Sequence, residues 1–119
     1  MRHFYDQVNV AWTLPKAGLL PPLCLATSKS CAAIERTATK LVADHQRYSG
    51  NPVTTVGVAD LGETDDLRLV DYQAVQERRD VLDSTGRVVL TDSSVRLHSE
   101  VALVWSGDGW RVATIKEVK

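Results

Sequence analysis

The sequence contains no long apolar run and almost no net charge, and these two absences exclude several classes of protein. No stretch approaches the roughly 18 apolar residues that a membrane-spanning helix needs. The net charge is −1 at pH 7, so there is no basic field to hold nucleic acid or an anionic membrane surface. We therefore expect no nucleic-acid partner and no membrane span within this chain.

Residues that bind metals or act as nucleophiles are also scarce. The sequence has three histidines and two cysteines, and His3, His45 and His98 lack the paired spacing typical of metal ligands. It has no GxSxG motif, which marks one large class of serine hydrolases. We predict no metal site, no cofactor and no catalytic residue.

What is present fits a single globular domain over residues 1–119. Apolar residues make up 44% of the chain and charged residues 24%, which are ordinary proportions. The charge is unevenly distributed, since residues 60–83 contain three arginines against eight acidic residues. The acidic residues are Asp60, Glu63, Asp65, Asp66, Asp71, Glu77, Asp80 and Asp83. We interpret this segment as solvated sheet surface and turns.

Two amphipathic helices are predicted in the first half of the chain. Residues 3–15 place Tyr5, Val8 and Trp12 on one face and end at Pro15. After a proline-containing connector, a second helix capped by Ser28 or Ser30 continues to a left-handed Gly50. Its apolar face comprises Cys31, Ile34, Ala38, Leu41, His45 and Tyr48.

Beyond Pro52 the apolar period changes to two, which predicts antiparallel strands. The segment 67–81 has mixed parity, so we expect a bulge or a strong bend in it. At the end of the chain, Trp105 and Trp110 flank a Ser-Gly-Asp-Gly hairpin loop, and the two side chains should pack together. The predicted strands span 53–61, 67–81, 87–90, 95–105 and 110–118. Helices followed by strands predict an α+β fold.

The order of elements, together with "YDQVNVAW", "SKSCAAIERTATKLVADHQRYSGN" and "GWRVATI", resembles the nuclear-transport-factor-2-like superfamily. This group has a cystatin-like fold and includes ketosteroid isomerase and SnoaL-type cyclases. The chain looks most like an actinobacterial family of secreted proteins and lipoproteins of unknown function. The resemblance implies a cone-shaped fold, with two N-terminal helices packed in the concave face of a curved antiparallel sheet of four to five strands.

Cys24 and Cys31 allow two interpretations. They are either two buried free thiols of a cytoplasmic protein or a disulfide that ties the connector to the second helix. We favour the disulfide, which would stabilise the fold by about 2.5 kcal/mol. A disulfide would place the domain outside the cytoplasm, where a removed N-terminal segment could have anchored it to the membrane.

In the resembling fold, a pocket commonly forms between the long helix and the sheet. His45, Tyr48 and Tyr72 are the residues we predict to line its mouth. The alternative for His45 is a packed core or rim residue.

Three functions remain open. The first, which we favour, is a non-catalytic extracytoplasmic domain that binds a small ligand, a peptide or a protein. The second is a small isomerase, cyclase or hydratase that uses the pocket. However, Asp71 and Tyr72 are adjacent in a strand, so they point to opposite faces and cannot both serve one pocket without a bulge. The third is a structural module that forms a homodimer through the open face of the sheet.

Overall fold

The computed structural model describes residues 1–118 of the chain. Two α-helices come first, α1 at Arg2–Thr13 and α2 at Lys29–Asp44, with a short 3-10 helix at Pro21–Leu23 between them. The strands are β1 Arg47–Tyr48, β2 Val53–Thr64, β3 Leu67–Gln76, β4 Arg79–Leu82, β5 Val88–Asp92, β6 Val95–Trp105 and β7 Trp110–Glu117. The predicted α+β fold class is therefore confirmed.

The strands form two antiparallel sheets instead of one sheet of four to five strands. The large sheet has the order β2-β3-β6-β7, and the small sheet has the order β1-β4-β5. Together they contain the seven strands found within residues 1–118. The small sheet was missed because β1 has only two residues, Arg47 and Tyr48, which pair with Leu82 and Val81 far along the chain.

Helix α1 packs its apolar face on the large sheet as the sequence predicted. Tyr5 and Val8 are buried, and Trp12 is half-buried. Asn9 is buried on the same face, where its side-chain amide donates to the carbonyl of Val53 and accepts from the Val53 N–H, both at 2.9 Å. This pair of hydrogen bonds fixes α1 at the beginning of β2.

Helix α2 starts as expected but ends earlier. The Ser28 hydroxyl accepts a hydrogen bond from the Cys31 N–H, which caps the helix. The last helical residue is Asp44, and the left-handed residue beyond it is His45, with φ 55°, instead of Gly50. Tyr48 is buried as its spacing suggested, but it lies in β1, because pairing with β4 replaces the last predicted turn of helix.

The segment 67–81 is two strands instead of one long strand. Strand β3 ends at Gln76 in the large sheet, and β4 begins at Arg79 in the small sheet. The mixed parity of the sequence reflects this change of sheet. The register irregularities of the large sheet lie elsewhere, in β2 at Thr55/Gly57 and Asp60/Gly62 and between β6 and β7.

The terminal hairpin forms as predicted. Trp105 and Trp110 are directly opposite in the β6–β7 register, and their ring centroids lie 5.4 Å apart in an edge-to-face arrangement. The loop is closed by a hydrogen bond from the Ser106 N–H to the carbonyl of Gly109, and Gly107 has φ 91°. That positive φ accounts for a glycine at this position.

The buried side chains form two clusters. The large cluster lies between the helices and the large sheet, and the small cluster lies beneath the small sheet, with Trp12 in contact with both. The small cluster consists of Leu41, Tyr48 and Val81. The large cluster consists of Phe4, Tyr5, Val8, Leu20, Cys31, Val53, Val70, Tyr72, Ala74, Val101, Leu103 and Val112.

Candidate functional site

A groove of about 390 Å³ lies between α2 and the connector that precedes it. We call it the α2 groove. Its connector side is held against the large sheet, because the Leu25 N–H donates to the carbonyl of Val112 at 2.9 Å and Cys24 bridges to Val112 in parallel. The lining residues are Pro21, Cys24, Leu25, Ala26, Ser28, Cys31, Ala32, Glu35, Arg36 and Thr39.

The helical wall of the α2 groove is a stripe that shares only Cys31 with the core-facing stripe. It runs from Ser28 to Thr39 at helical spacings of three and four, so it extends about 16 Å along the helix axis. Ala32 on this stripe is exposed, whereas Ala38 on the core-facing stripe is fully buried. Small side chains on the groove stripe leave space beside the helix.

A disulfide joins Cys24 to Cys31 and forms one end of the groove, which confirms this part of the sequence prediction. The two Cα atoms are 6.4 Å apart, within the range that disulfides span. The connector is therefore attached to α2 covalently and to β7 by hydrogen bonds. A groove held in this way is formed before any ligand arrives.

Some polar side chains of the groove make hydrogen bonds within the protein, and others do not. Glu35 accepts a hydrogen bond from the Gly18 N–H at 2.8 Å, and the Thr39 hydroxyl donates to the carbonyl of Glu35. Arg36 is exposed and has no ion pair or side-chain hydrogen bond among residues 1–118. Its guanidinium is thus available to a ligand.

The structure does not bring His45, Tyr48 and Tyr72 together around a cavity. His45 is exposed at the end of α2, Tyr48 is buried beneath the small sheet, and Tyr72 is fully buried beneath the large sheet. Side chains such as Leu20 and Val8 are fully buried inside the large cluster, where the resemblance implied a pocket. A cavity at this cluster is small, about 120 Å³, and its lining includes Phe4, Leu103 and Val112. The role of His45, Tyr48 and Tyr72 in binding stays a prediction.

Of the three buried tyrosines, Tyr48 and Tyr72 have hydrogen-bond partners for their hydroxyls. Tyr72 stacks on Tyr5 with ring centroids 4.4 Å apart, and its hydroxyl lies 2.6 Å from that of Thr55. Tyr48 stacks on Trp12 and donates to the carboxylate of Asp92 at 2.5 Å.

Burial raises the pKa of each of these tyrosines. For Tyr5 and Tyr72, burial is the largest cause of the raised pKa. The pKa of Tyr48 is raised first by burial and then by its hydrogen bond to Asp92. All three side chains therefore favour their neutral forms.

Asp71 and His98 form a side-chain hydrogen bond on the face of the large sheet opposite Tyr72. The His98 Nε2 and Asp71 Oδ1 atoms are 2.5 Å apart, and this contact lowers the pKa of Asp71. The two residues are not directly opposite in the β3–β6 register, since Asp71 pairs with Glu100 and His98 pairs with Gln73, so their contact runs diagonally between the strands. No cluster of three potential metal ligands occurs within the described residues.

The face that carries this pair is also the one through which a homodimer was expected. Arg96, His98 and Glu100 make it polar on β6. Strands β2 and β5 carry half of the large exposed apolar side chains of the described residues, including Val56, Leu61 and Leu90. The homodimer stays a prediction.

Sequence reasoning identified the cysteine pair but missed the other groove residues. Ala32, Arg36 and Thr39 belong to an ordinary exposed helix face, and only the folded position of the connector makes them one wall of a groove. The sequence feature that could have indicated the groove is the combination of Pro21, Pro22 and a nearby cysteine. This combination indicates a connector that lies close to the helix. It does not indicate which side of the helix the connector faces.

The fold and the groove together define an α+β domain with a disulfide-bordered groove. No family model matches the chain, and a search of curated proteins found no match. Among solved structures, the chain is similar to the intermembrane space region of the chloroplast protein ARC6, with a TM-score of 0.55 and 11% sequence identity. The match covers 98% of this chain and 94% of that chain. At this identity the similarity shows a shared fold.

None of the helices within residues 1–118 combines the length and the apolar character needed to cross a membrane.

Proposed function

We propose that this chain is a non-catalytic, extracytoplasmic domain that binds a small ligand or peptide in the α2 groove. The observation that carries the proposal is the groove itself, about 390 Å³ in volume and bordered by the Cys24–Cys31 disulfide. Ligand sites are typically concave and mostly apolar with a few polar groups, in the range of roughly 300–1,000 Å³. The α2 groove has this size and composition.

The disulfide supports the extracytoplasmic part of the proposal. Disulfides persist in oxidising compartments and are rare in the cytosol. Kinship with the nuclear-transport-factor-2-like proteins remains part of the proposal. Domains of that superfamily form ligand pockets, although the groove proposed here lies outside the interior of the fold, where Tyr5 and Tyr72 stack.

A neutral fluorescent probe tests whether the groove binds apolar ligands. N-phenyl-1-naphthylamine brightens in apolar sites, and we expect a saturable increase with the wild-type protein. Ala32→Trp places a large side chain in the groove and should weaken probe binding by at least tenfold. The matched control is Ala33→Trp, because Ala33 is also exposed on α2 but does not line the groove.

Circular dichroism should show that both variants are folded. Equal probe affinity in Ala32→Trp and Ala33→Trp would place the binding elsewhere and contradict the proposal. The absence of saturable binding to the wild-type protein would also contradict it.

A further inference from the structure

The α2 groove has an apolar end and a polar end. Near the start of α2 it is lined by the disulfide, Leu25 and Ala26, and two turns further along the helix it is lined by Arg36 and Thr39. From Ser28 to Arg36 the helix rises by about 12 Å. A ligand that fills the groove therefore meets apolar surface along most of its length and a cation at one end.

Arg36 is the cation that can meet the ligand. The other polar side chains at this end are Glu35 and Thr39. Both already make hydrogen bonds within the protein, Glu35 to the Gly18 N–H and Thr39 to the helix backbone. The Gly18 N–H contacts hold the Glu35 carboxylate toward the connector. An arginine presents a planar pair of donors that matches a carboxylate.

The chain segment that forms the groove has a net positive charge. Residues 16–44 contain four cations, Lys16, Lys29, Arg36 and Lys40, against two acids, Glu35 and Asp44. One of these cations, Lys40, is paired with Asp44 at 2.6 Å. The eight acidic residues of the chain between 60 and 83 lie outside this segment. An anionic ligand is therefore favoured at the groove by its local charge.

We infer that the α2 groove binds a small-molecule carboxylate with an aliphatic or aromatic tail. The tail lies along the apolar end beside the disulfide, and the carboxylate is held by Arg36. This inference rests on the proposed function, since it specifies the ligand class of the same groove. The occupant is a free small molecule, and an apolar peptide with a free carboxylate is an alternative that the experiment distinguishes.

Three competitors of equal alkyl chain length but different head groups test which head group the groove prefers. Decanoate, decylammonium and 1-decanol, each below its aggregation concentration, are titrated against protein loaded with N-phenyl-1-naphthylamine. We expect decanoate to displace the probe at a concentration at least tenfold lower than decylammonium. Arg36→Gln should weaken decanoate about tenfold more than it weakens the probe, and Arg36→Lys should recover part of that loss.

Lys40→Gln is the matched control for charge. Lys40 is on the same helix, one turn beyond Arg36, and does not line the groove. An equal loss of decanoate affinity in Lys40→Gln and Arg36→Gln would overturn the inference, because it would assign the preference to general charge.

The outcomes separate the inference from the proposed function. If the probe binds but the three competitors displace it equally, the ligand class is wrong and the groove remains a binding site. If decanoate does not compete but an apolar peptide with a free carboxylate does, the inference is overturned in favour of a peptide site. If the probe itself does not bind, the proposed function fails first.

Discussion

Helix α1 contacts the two sheets through one aromatic pair at each end. The two contacts differ in the number of buried residues that surround them. Tyr5 stacks on Tyr72 within a cluster of twelve buried residues. Trp12 stacks on Tyr48 within a cluster of three buried residues. Since buried apolar area supplies most of the stability of a fold, the large sheet holds the domain together. The small sheet is attached to it through α1 and the end of α2.

This difference predicts unequal costs for the same truncation. Tyr72→Ala should lower the free energy of unfolding by about 3–5 kcal/mol, because it opens a cavity in a fully buried site. Tyr48→Ala should cost about 2 kcal/mol, because its cluster is small and closer to solvent. Urea denaturation measures both values.

Amide hydrogen exchange shows where each truncation acts. Tyr48→Ala should increase exchange in β4 and β5 while the β3–β6 amides stay protected, since local opening follows local packing. Equal losses of stability in the two variants, or uniform loss of protection in Tyr48→Ala, would show that the two clusters unfold as one unit.

Asn9 lies on α1 between the two aromatic contacts and provides the next largest effect. Asn9→Ala removes both hydrogen bonds to Val53 and leaves a buried N–H and C=O without partners. We expect a loss of about 2 kcal/mol in the free energy of unfolding. The control is Asn51→Ala, which changes an exposed asparagine and should cost less than about 0.5 kcal/mol. A neutral Asn9→Ala would show that water replaces the two bonds.

The comparison of the two sheets also shows what the sequence could predict. Both helices, the terminal hairpin and the cysteine pair follow from local patterns: the 3.6-residue period, the glycines between Trp105 and Trp110, and the short spacing of Cys24 and Cys31. These features depend on residues that are close in sequence. The α+β class follows from their order.

The features that were missed depend on distant residues. The end of α2 at Asp44 is set by the pairing of Arg47 and Tyr48 with β4, more than thirty residues later. The break at residues 77–78 has the same cause. The groove residues Ala32 and Arg36 could not be predicted, because their neighbours in space are in the connector and the helix periodicity does not position it.

The smallest expected effect concerns pH and appears only in alkaline solution. Tyr5, Tyr48 and Tyr72 all have a pKa raised above the ordinary value of 10.0 in the folded protein. In the unfolded chain they ionise near pH 10, so the unfolded state binds fewer protons there than the folded state. Stability from these groups is therefore fully present below pH 10 and declines as the pH rises above it. Each tyrosine can contribute a decline of up to ~1.4 kcal/mol per pH unit.

Urea denaturation at pH 8, 10 and 11 measures this decline, and phenylalanine variants assign it to the two sheets. Tyr48→Phe should remove the part of this decline that comes from the small sheet. That part is about one third of the slope of the free energy of unfolding against pH if each tyrosine contributes equally. Tyr5→Phe should remove a similar share from the large sheet, because that ring is buried against Tyr72. A slope unchanged in Tyr5→Phe and reduced in Tyr48→Phe would contradict the contribution of Tyr5 and would leave Tyr48 and Tyr72 as the tyrosines that sense alkaline pH. The small sheet should open before the large sheet in either case, because its cluster has three buried residues against twelve.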